Sequence, residues 1–348
     1  LYYFGFQILI LYNIYATDSQ QGYIVWFAGN SIFILIKIYS KNKKLSLVAL
    51  SIFTLINFII LVDIFRIAPW KSYFYEESVS YRGDFWRAGW RMFTNNPFFG
   101  VGLDGFRDFF RIYRDQIAVS RNASAMVDSA HNVLIDIAIG GGLPLILAYL
   151  GMMLCTLISI IKFLKFSSHF DLIFASLVSS WCAYQVQSVI SINQIGIAIW
   201  GWVLGGAIIG YEIFSSKERI NITPNVKRNA LKFGIGAAIG LSVSVPLFNV
   251  DSEFRSSMNS GDIDRIVESV DAWPQSPIRS NLAAQSLRLA GFSDQAIIIS
   301  RRNIKLFPNN FESWEEFLAN KKISPLELNQ AIVQMRKLDP LWKSISKP

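Results

Sequence analysis

The sequence predicts an all-α polytopic membrane protein with a large external helical loop and a C-terminal domain of helical repeats. The composition is 52% hydrophobic and the mean hydropathy is +0.34, values that soluble domains rarely reach. Several apolar runs are long enough to cross a bilayer, which takes roughly 18 residues or more. Basic residues cluster beside the ends of these runs, and prolines recur in the polar tail.

Seven apolar runs account for the predicted membrane spans. They cover residues 1–17, 21–39, 45–65, 142–163, 171–190, 194–212 and 231–249. The first run begins at Leu1 without a preceding methionine, so we expect further spans upstream in the full protein. The chain therefore divides into four regions, which are transmembrane helices at 1–66, an external loop at 67–141, transmembrane helices at 142–249 and external helical repeats at 250–348.

Lysine and arginine in the short loops predict the orientation of the spans. The basic clusters are 41-KNKK-44, Lys162 with Lys165, and the stretch from 217-KER-219 to Lys232. With seven spans these clusters all fall on one side, which we assign as cytoplasmic. The net charge of +8 largely reflects this topology, and a nucleic-acid partner is not expected because the basic residues follow span ends and are split between faces.

Prolines mark a repeat in the tail. Pro274, Pro308 and Pro340 each end an amphipathic run, and their spacing of about 34 and 32 residues matches tetratricopeptide helix pairs. Gly291 falls between two predicted helices, where a turn glycine is expected. Such repeats stack into a surface that binds another protein or a further copy, although a helical cap without a partner fits the same pattern.

The external loop contains a predicted helix at 82–94, which ends before 95-NNP-97. At about 100° per residue, Arg82 shares a face with aromatic residues, whereas Arg87 and Arg91 lie on the other side with Asp84. Arg82 therefore has apolar neighbours and no local carboxylate, and a guanidinium in such a place usually needs an anion. An arginine that extends toward lipid headgroups fits the spacing equally well.

A glycine-rich stretch, 100-GVGLDG-105, matches the dinucleotide-binding pattern G-x-G-x-x-G. That pattern needs a strand before it and a helix after it within a βαβ unit. Here it follows 97-PFF-99 on an external loop, so we do not expect a nucleotide. The glycines instead predict a tight, closely packed backbone turn.

His131 stands near the start of 128-DSAHNVLIDIAIGGGLPLI-146 and is one of two histidines in the chain. We expect Asp128 or Ser129 to cap a helix that begins at Ala130. Asp128 could also hold one ring nitrogen of His131, leaving the other to accept a proton. A histidine that only fills an amphipathic interface fits the same stretch. The loop has no second histidine, no cysteine and no acidic ligand spacing, so neither a metal nor a cofactor is expected.

Residues 81–150 resemble the signature region of the O-antigen ligase and O-antigen polymerase superfamily, which are polytopic bacterial membrane proteins of the type C glycosyltransferase kind. The family pattern appears here in order as Arg82, Trp86, 97-PFFGVG-102, 106-FRDFFRIY-113, His131-Asn132 and 140-GGGLP-144. The predicted topology extends the resemblance over residues 1–250, and the tail is an addition found in only some members.

The resemblance implies a metal-independent glycosyl transfer at the outer face of the bacterial inner membrane. A glycan would move from a polyprenyl diphosphate donor to an acceptor hydroxyl on another glycan, on lipid A core or on a protein. By the same resemblance, Arg82 would bind the diphosphate as leaving group, and His131 would take or orient the proton of the acceptor hydroxyl. The loop 67–141 would then be a periplasmic catalytic loop, and whether the enzyme is a ligase or a polymerase stays open.

One position departs from the family pattern. Relatives often carry a second arginine at the external end of an earlier span, and here the matching stretch is 18-DSQQG-22. Glutamine can hydrogen-bond a phosphate or a sugar but brings no charge, so either Arg87, Arg91 or Arg107 supplies the second charge or this subgroup works differently. The residues predicted to bind substrate are Gln21, Trp86, Arg87, Arg91, Asp128 and Asn132.

A second class of function fits the composition, namely a non-enzymatic membrane scaffold or transport component that acts through its repeats. The predicted spans hold few charged residues, with Lys37 and Asp63 near span ends, which disfavours an ion path. In both readings membrane lipids surround the spans, and residues 251–348 offer a surface for a protein partner.

Overall fold

The computed structural model describes residues 2–64, 77–167, 169–215 and 226–342, and helices dominate all four ranges. No strand occurs within these ranges, so the predicted all-α class is confirmed. The helices are α1 (Tyr2–Ala16), α2 (Gln20–Lys41), α3 (Lys43–Ile64), α4 (Glu77–Asn95), α5 (Phe106–Tyr113), α6 (Gln116–Arg121), α7 (Val133–Phe166), α8 (Leu172–Ile190), α9 (Ile195–Ser215), α10 (Val226–Ser260), α11 (Ile263–Asp271), α12 (Pro277–Leu289), α13 (Ser293–Leu306), α14 (Phe311–Leu318) and α15 (Pro325–Leu338).

Helices occupy the positions of all seven predicted spans. Within the described ranges, α2, α7, α8, α9 and α10 are long and apolar enough to cross a membrane by length and composition. The first run forms the shorter apolar helix α1, and the third predicted span coincides with α3. These helices confirm a polytopic membrane protein. Residues 65–76, which include the start of the predicted loop, and residues 216–225, which include part of the third basic cluster, lie outside the described residues.

The chain separates into two compact units, Leu1–Ile220 and Asn221–Pro348. This division groups α10, the last predicted span, with the tail and not with the other spans. The reason is visible in α10 itself, which is a single helix that continues beyond the predicted span. Phe254, near its C-terminal end, is buried in the same apolar cluster as Ala283 and Ala296 of the tail.

The spans of the first unit pack around α8. Phe174, Trp181 and Ile208 are buried where α8 meets α2 and α9. Outward-facing apolar side chains such as Leu147 and Leu154 of α7 stay exposed. Lipid is as apolar as leucine, so such faces are stable without protein cover.

The predicted loop has its own small hydrophobic core. The predicted helix at 82–94 is confirmed as part of α4, and the aromatic run that follows forms α5. Met92 and Phe110 are almost completely buried between these helices and the start of α7. The loop is therefore a folded element, and its core fixes where α4 lies relative to residues 127–139.

The predicted start of α7 is wrong by three residues. The helix begins at Val133, and its N-cap is Asn132, whose side-chain oxygen accepts hydrogen bonds from the amides of Leu134 and Ile135. His131 has a left-handed backbone with φ +54°, so the helix cannot extend back through it to Ala130. Neither of the predicted capping residues, Asp128 or Ser129, serves as the cap of α7.

The two glycine motifs of the loop pack against each other, and the predicted close-packed turn is confirmed. The amide of Val101 donates to the carbonyl of Ile139 at 2.7 Å, and that of Leu143 donates to the carbonyl of Pro97 at 2.7 Å. Gly142 has φ +64° and kinks α7, and a Cβ there would lie 2.5 Å from the carbonyl carbon of Phe98. The stretch 140–144 thus contains a kink between two helical segments of α7.

The tail is built from short helices that pack in chain order. Helix α12 packs against α13, α13 against α14, and α14 against α15. Gly291 has φ +92° between α12 and α13, so its prediction as a turn glycine is confirmed. Ala283 and Ala296 are completely buried where these two helices meet. The assignment to tetratricopeptide repeats stays a prediction.

Candidate active site

The structure brings Arg82 of α4 close to His131. Arg82 is partly buried, and this burial lowers the pKa of its guanidinium. Its positive charge in turn lowers the pKa of His131, so the two groups lie within electrostatic reach. Among the described residues no carboxylate forms an ion pair with Arg82. A partly buried guanidinium beside a histidine, without an acid, is a site prepared for an anionic ligand.

The imidazole of His131 is held against an aromatic ring. Phe85, one turn after Arg82 on α4, stacks on His131 with ring centroids 5.8 Å apart and planes inclined by 30°. Burial lowers the pKa of His131, the charge of Arg82 lowers it further, and Asp128 acts in the opposite direction. A lowered pKa favours the neutral imidazole at neutral pH, which is the form that accepts a proton.

The backbone around His131 has an unusual conformation that local hydrogen bonds maintain. Left-handed φ values are uncommon for residues other than glycine. The amide of His131 donates to the hydroxyl of Ser129 at 3.2 Å, and the amide of Ala130 donates to the carboxylate of Asp136 at 2.7 Å. Phe85 and Asp136 were not among the predicted site residues. The available signal for Asp136 is that it is an isolated acid within an apolar run.

Asp128 does not make the predicted contact with the ring of His131. Its carboxylate accepts a hydrogen bond from Arg107 at 2.6 Å, and its side chain is 75% exposed. Within the described part of the chain, no hydrogen bond joins Asp128 to His131. The hydrogen bond from Arg107 is strong because both of its partners are charged. Asp128 affects His131 only through its charge.

Arg87 and Arg91 have carboxylate partners inside the loop. Arg87 donates to Asp84 at 2.6 Å, as its i,i+3 spacing predicts, and to Asp115 at 2.8 Å. Arg91 lies 3.5 Å from Asp115. Burial alone would raise the pKa of Asp115, but hydrogen bonds from Arg87 and the amide of Ala118 outweigh it, and the pKa is lowered.

These ion pairs bear on the prediction that another arginine of the loop supplies the second positive charge of the site. Arg87, Arg91 and Arg107 each pair with an acid of the loop, whereas Arg82 has no such partner among the described residues. Asp84, whose side chain is 2% exposed, also pairs with Arg121 at 2.9 Å. The arginines opposite Arg82 therefore stabilise the loop that presents it.

The other predicted substrate-binding residues lie in three different settings. Trp86 packs against the hydrophobic core of the loop. Asn132 is buried, and its side-chain oxygen caps α7, so its structural role is clear. Gln21 lies in the first turn of α2, and among the described residues no hydrogen bond or ion pair joins it to Arg82 or His131. In the described ranges, no group of three or more His, Cys, Asp or Glu side chains is placed to hold a metal ion.

The fold and the site together define a multi-pass membrane protein with an arginine–histidine site on a folded loop between spans. Residues 5–150 match the family model described as O-antigen ligase. This match confirms that residues 5–150 resemble the O-antigen ligase and polymerase family. The matched range includes both Arg82 and His131. The family indicates a membrane enzyme of the ligase or polymerase type. No curated protein and no solved structure matches the chain.

Proposed function

We propose that this protein is a glycosyltransferase that moves a glycan from a polyprenyl diphosphate donor to an acceptor hydroxyl. The observation that carries the proposal is the proximity of Arg82 and His131, with Arg82 lacking a carboxylate partner among the described residues. One group suits an anionic leaving group and the other suits a hydroxyl proton. The family of residues 5–150 supports the same reaction class.

Arg82 would bind the diphosphate of the donor. Charge-assisted hydrogen bonds from a guanidinium to phosphate oxygens are short, strong and directional. During transfer the bond between the anomeric carbon and the phosphate oxygen breaks, and the polyprenyl diphosphate leaves with the electron pair. The charge of Arg82 stabilises this developing negative charge without reorganisation, because the α4 helix already holds the residue in place.

His131 would accept the proton of the attacking hydroxyl as the acceptor oxygen forms its bond to the anomeric carbon. The lowered pKa of His131 keeps the imidazole neutral before the donor binds. A bound diphosphate would offset the charge of Arg82, and its own negative charge would favour the imidazolium form. Donor binding thus strengthens the base at the moment when it is needed.

We further propose that the reaction needs no metal ion and takes place at the periplasmic face of the bacterial inner membrane. The loop 67–141 and the tail 250–348 would lie on that face, as the basic clusters of the short loops indicate. The acceptor is another lipid-linked glycan for a polymerase, and lipid A core or a protein for a ligase. Both use the same donor chemistry.

The proposal is tested with purified full-length protein and a defined lipid-linked oligosaccharide donor. Candidate acceptors are supplied separately, in the presence of a chelator, and the glycosylated product is measured by mass spectrometry. We expect transfer to one acceptor class, and loss of transfer in Arg82→Gln and His131→Ala proteins that remain folded. Full activity of both variants would overturn the proposed site, and transfer that stops with the chelator would overturn metal independence.

A further inference from the structure

We infer that Asp136 is a positioning residue for His131, whose carboxylate holds the turn before α7 in the conformation that presents the imidazole beside Arg82. The inference rests on the proposed function of His131. Asp136 lies in the first turn of α7, so it is separated from the imidazole along the chain and acts through the backbone. It is not expected to contact the donor or the acceptor.

The first observation is the hydrogen bond from the amide of Ala130 to the carboxylate of Asp136, at 2.7 Å. Ala130 is completely buried and lies outside the helix, so its amide has no helical carbonyl to bond. A buried amide without an acceptor is unfavourable, and Asp136 supplies the acceptor. The side chain of Asp136 thereby secures the backbone immediately before His131.

The second observation is the backbone conformation of His131, with φ +54°. A residue other than glycine stays in this region only when the surroundings determine its conformation. Asn132 caps the helix that follows, and the hydroxyl of Ser129 accepts a hydrogen bond from the amide of His131. Asp136 differs from both because it lies inside α7 and accepts a hydrogen bond from Ala130, the residue before His131. This bond connects the helix to the backbone on the N-terminal side of the histidine.

The stacking of Phe85 on the imidazole gives this arrangement a functional consequence. Phe85 belongs to α4, whereas the turn at 129–132 is joined to α7, so the stack forms only if the turn keeps its shape. Without the acceptor at Asp136, the turn can relax to an ordinary backbone conformation, which redirects the side chain of His131. Misplacement of a reacting group by about 1 Å is enough to slow a reaction markedly.

The test compares Asp136→Ala with Asp136→Asn in the full-length protein. Asparagine keeps an oxygen that can accept the Ala130 amide, whereas alanine has none. Ile137→Ala is the matched control, because it alters the same turn of α7 without touching this hydrogen bond. Two readouts are used, namely transfer kinetics with a defined lipid-linked donor and the rate at which diethyl pyrocarbonate acylates His131. The second readout is made in a His169→Ala background, so that His131 is the histidine that reacts.

We expect Asp136→Ala to lower kcat by about tenfold or more with little change in the KM for the donor, and to change the acylation rate of His131. Asp136→Asn should restore both properties, and Ile137→Ala should affect thermal stability only. Unchanged kcat and acylation in Asp136→Ala would overturn the inference, as would an asparagine variant as impaired as the alanine one. If His131→Ala proves fully active, the proposed function fails, yet the acylation rates still decide whether Asp136 positions the ring.

Discussion

Phe85 stacks on His131 with ring centroids 5.8 Å apart, and this contact joins the two halves of the candidate site. Phe85 lies one turn after Arg82 on α4, and it also packs edge-on against Phe110 of α5, with centroids 5.6 Å apart. The hydrophobic core of the loop therefore determines the position of the histidine relative to the arginine. An aromatic stack also excludes water from one side of the imidazole, which contributes to the burial that lowers its pKa.

Replacement of His131 by alanine should lower glycosyl transfer by about 100-fold or more, because a positioned general base contributes that much to a proton transfer. The variant lacks the group that accepts the proton of the attacking hydroxyl. The measurement is the initial rate of product formation by purified protein from a lipid-linked donor.

His169→Ala is the matched control for this prediction, since it removes the second histidine of the chain. His169 lies between α7 and α8, beyond the opposite end of α7 from His131. We expect this control to retain the rate of the unaltered protein. Near-normal transfer by the His131→Ala protein would contradict a role in proton transfer.

Replacement of Arg82 by glutamine should raise the pKa of His131. Burial is the main cause of the lowered pKa, and the charge of Arg82 is the second, so removal of that charge shifts the pKa upward. Only neutral imidazole reacts with diethyl pyrocarbonate, and the pH midpoint of His131 modification should therefore move to higher pH. The acidic limb of the activity profile of any residual transfer should move in the same direction.

Arg91→Gln provides the control for the pKa prediction. Arg91 is on the same helix but pairs with Asp115, and its charge is not among the causes of the shift at His131. The midpoint of His131 modification should stay where it is in the unaltered protein. A midpoint that fails to rise in Arg82→Gln, or that rises equally in Arg91→Gln, would show that the two site residues are not electrostatically coupled.

Replacement of Gly142 by alanine should destabilise the loop and impair transfer. The residue has φ +64°, and an added Cβ would lie 2.5 Å from the carbonyl carbon of Phe98. A strained backbone of this kind costs about 1–3 kcal/mol, and the contact with Phe98 adds to it. Thermal unfolding in detergent, followed by circular dichroism, should show a lower midpoint.

Gly151→Ala is the control in the same helix, because nothing lies within 4 Å of a Cβ at Gly151. Alanine is also a better helix former than glycine, so its unfolding midpoint should be unchanged or higher. Equal midpoints for the two variants would mean that the packing of the glycine motifs contributes nothing to stability.

Replacement of Ala283 by arginine separates the enzymatic interpretation from the scaffold interpretation. Ala283 is completely buried in the tail, so an arginine there should disrupt the packing of the tail helices. Its neighbour Leu282 is 47% exposed, and Leu282→Arg should leave them intact. Limited proteolysis of the tail reports the structural effect.

If the Arg82–His131 site catalyses the transfer, the Ala283→Arg protein should retain measurable transfer in vitro, although the packing of its tail is disrupted. A scaffold that acts through the repeats would lose its function completely in this variant and keep it in Leu282→Arg. Complete loss of transfer with a disrupted tail and an intact loop would therefore favour a required role of the repeats.

The sequence by itself determined the helical class, the seven apolar runs that form helices, and the isolation of Arg82 from nearby acids. These properties depend on local patterns. A chain in lipid must satisfy its backbone hydrogen bonds within each segment, so a long apolar run becomes a helix whatever surrounds it. The turn at Gly291 was predictable for a similar reason, since a left-handed residue between helices favours glycine.

Only the tertiary structure decided which charged and aromatic groups meet. Asp128 forms an ion pair with Arg107 instead of a contact with His131, and Arg87 forms an ion pair with Asp115, which is far from it along the chain. Asp136, within α7, bonds to the amide of Ala130. The folding of the loop brings these partners together, and sequence spacing alone does not show which groups come within hydrogen-bond distance. The misplaced start of α7 has a local cause, because Asn132 is the N-cap and the left-handed backbone of His131 keeps the helix from beginning earlier.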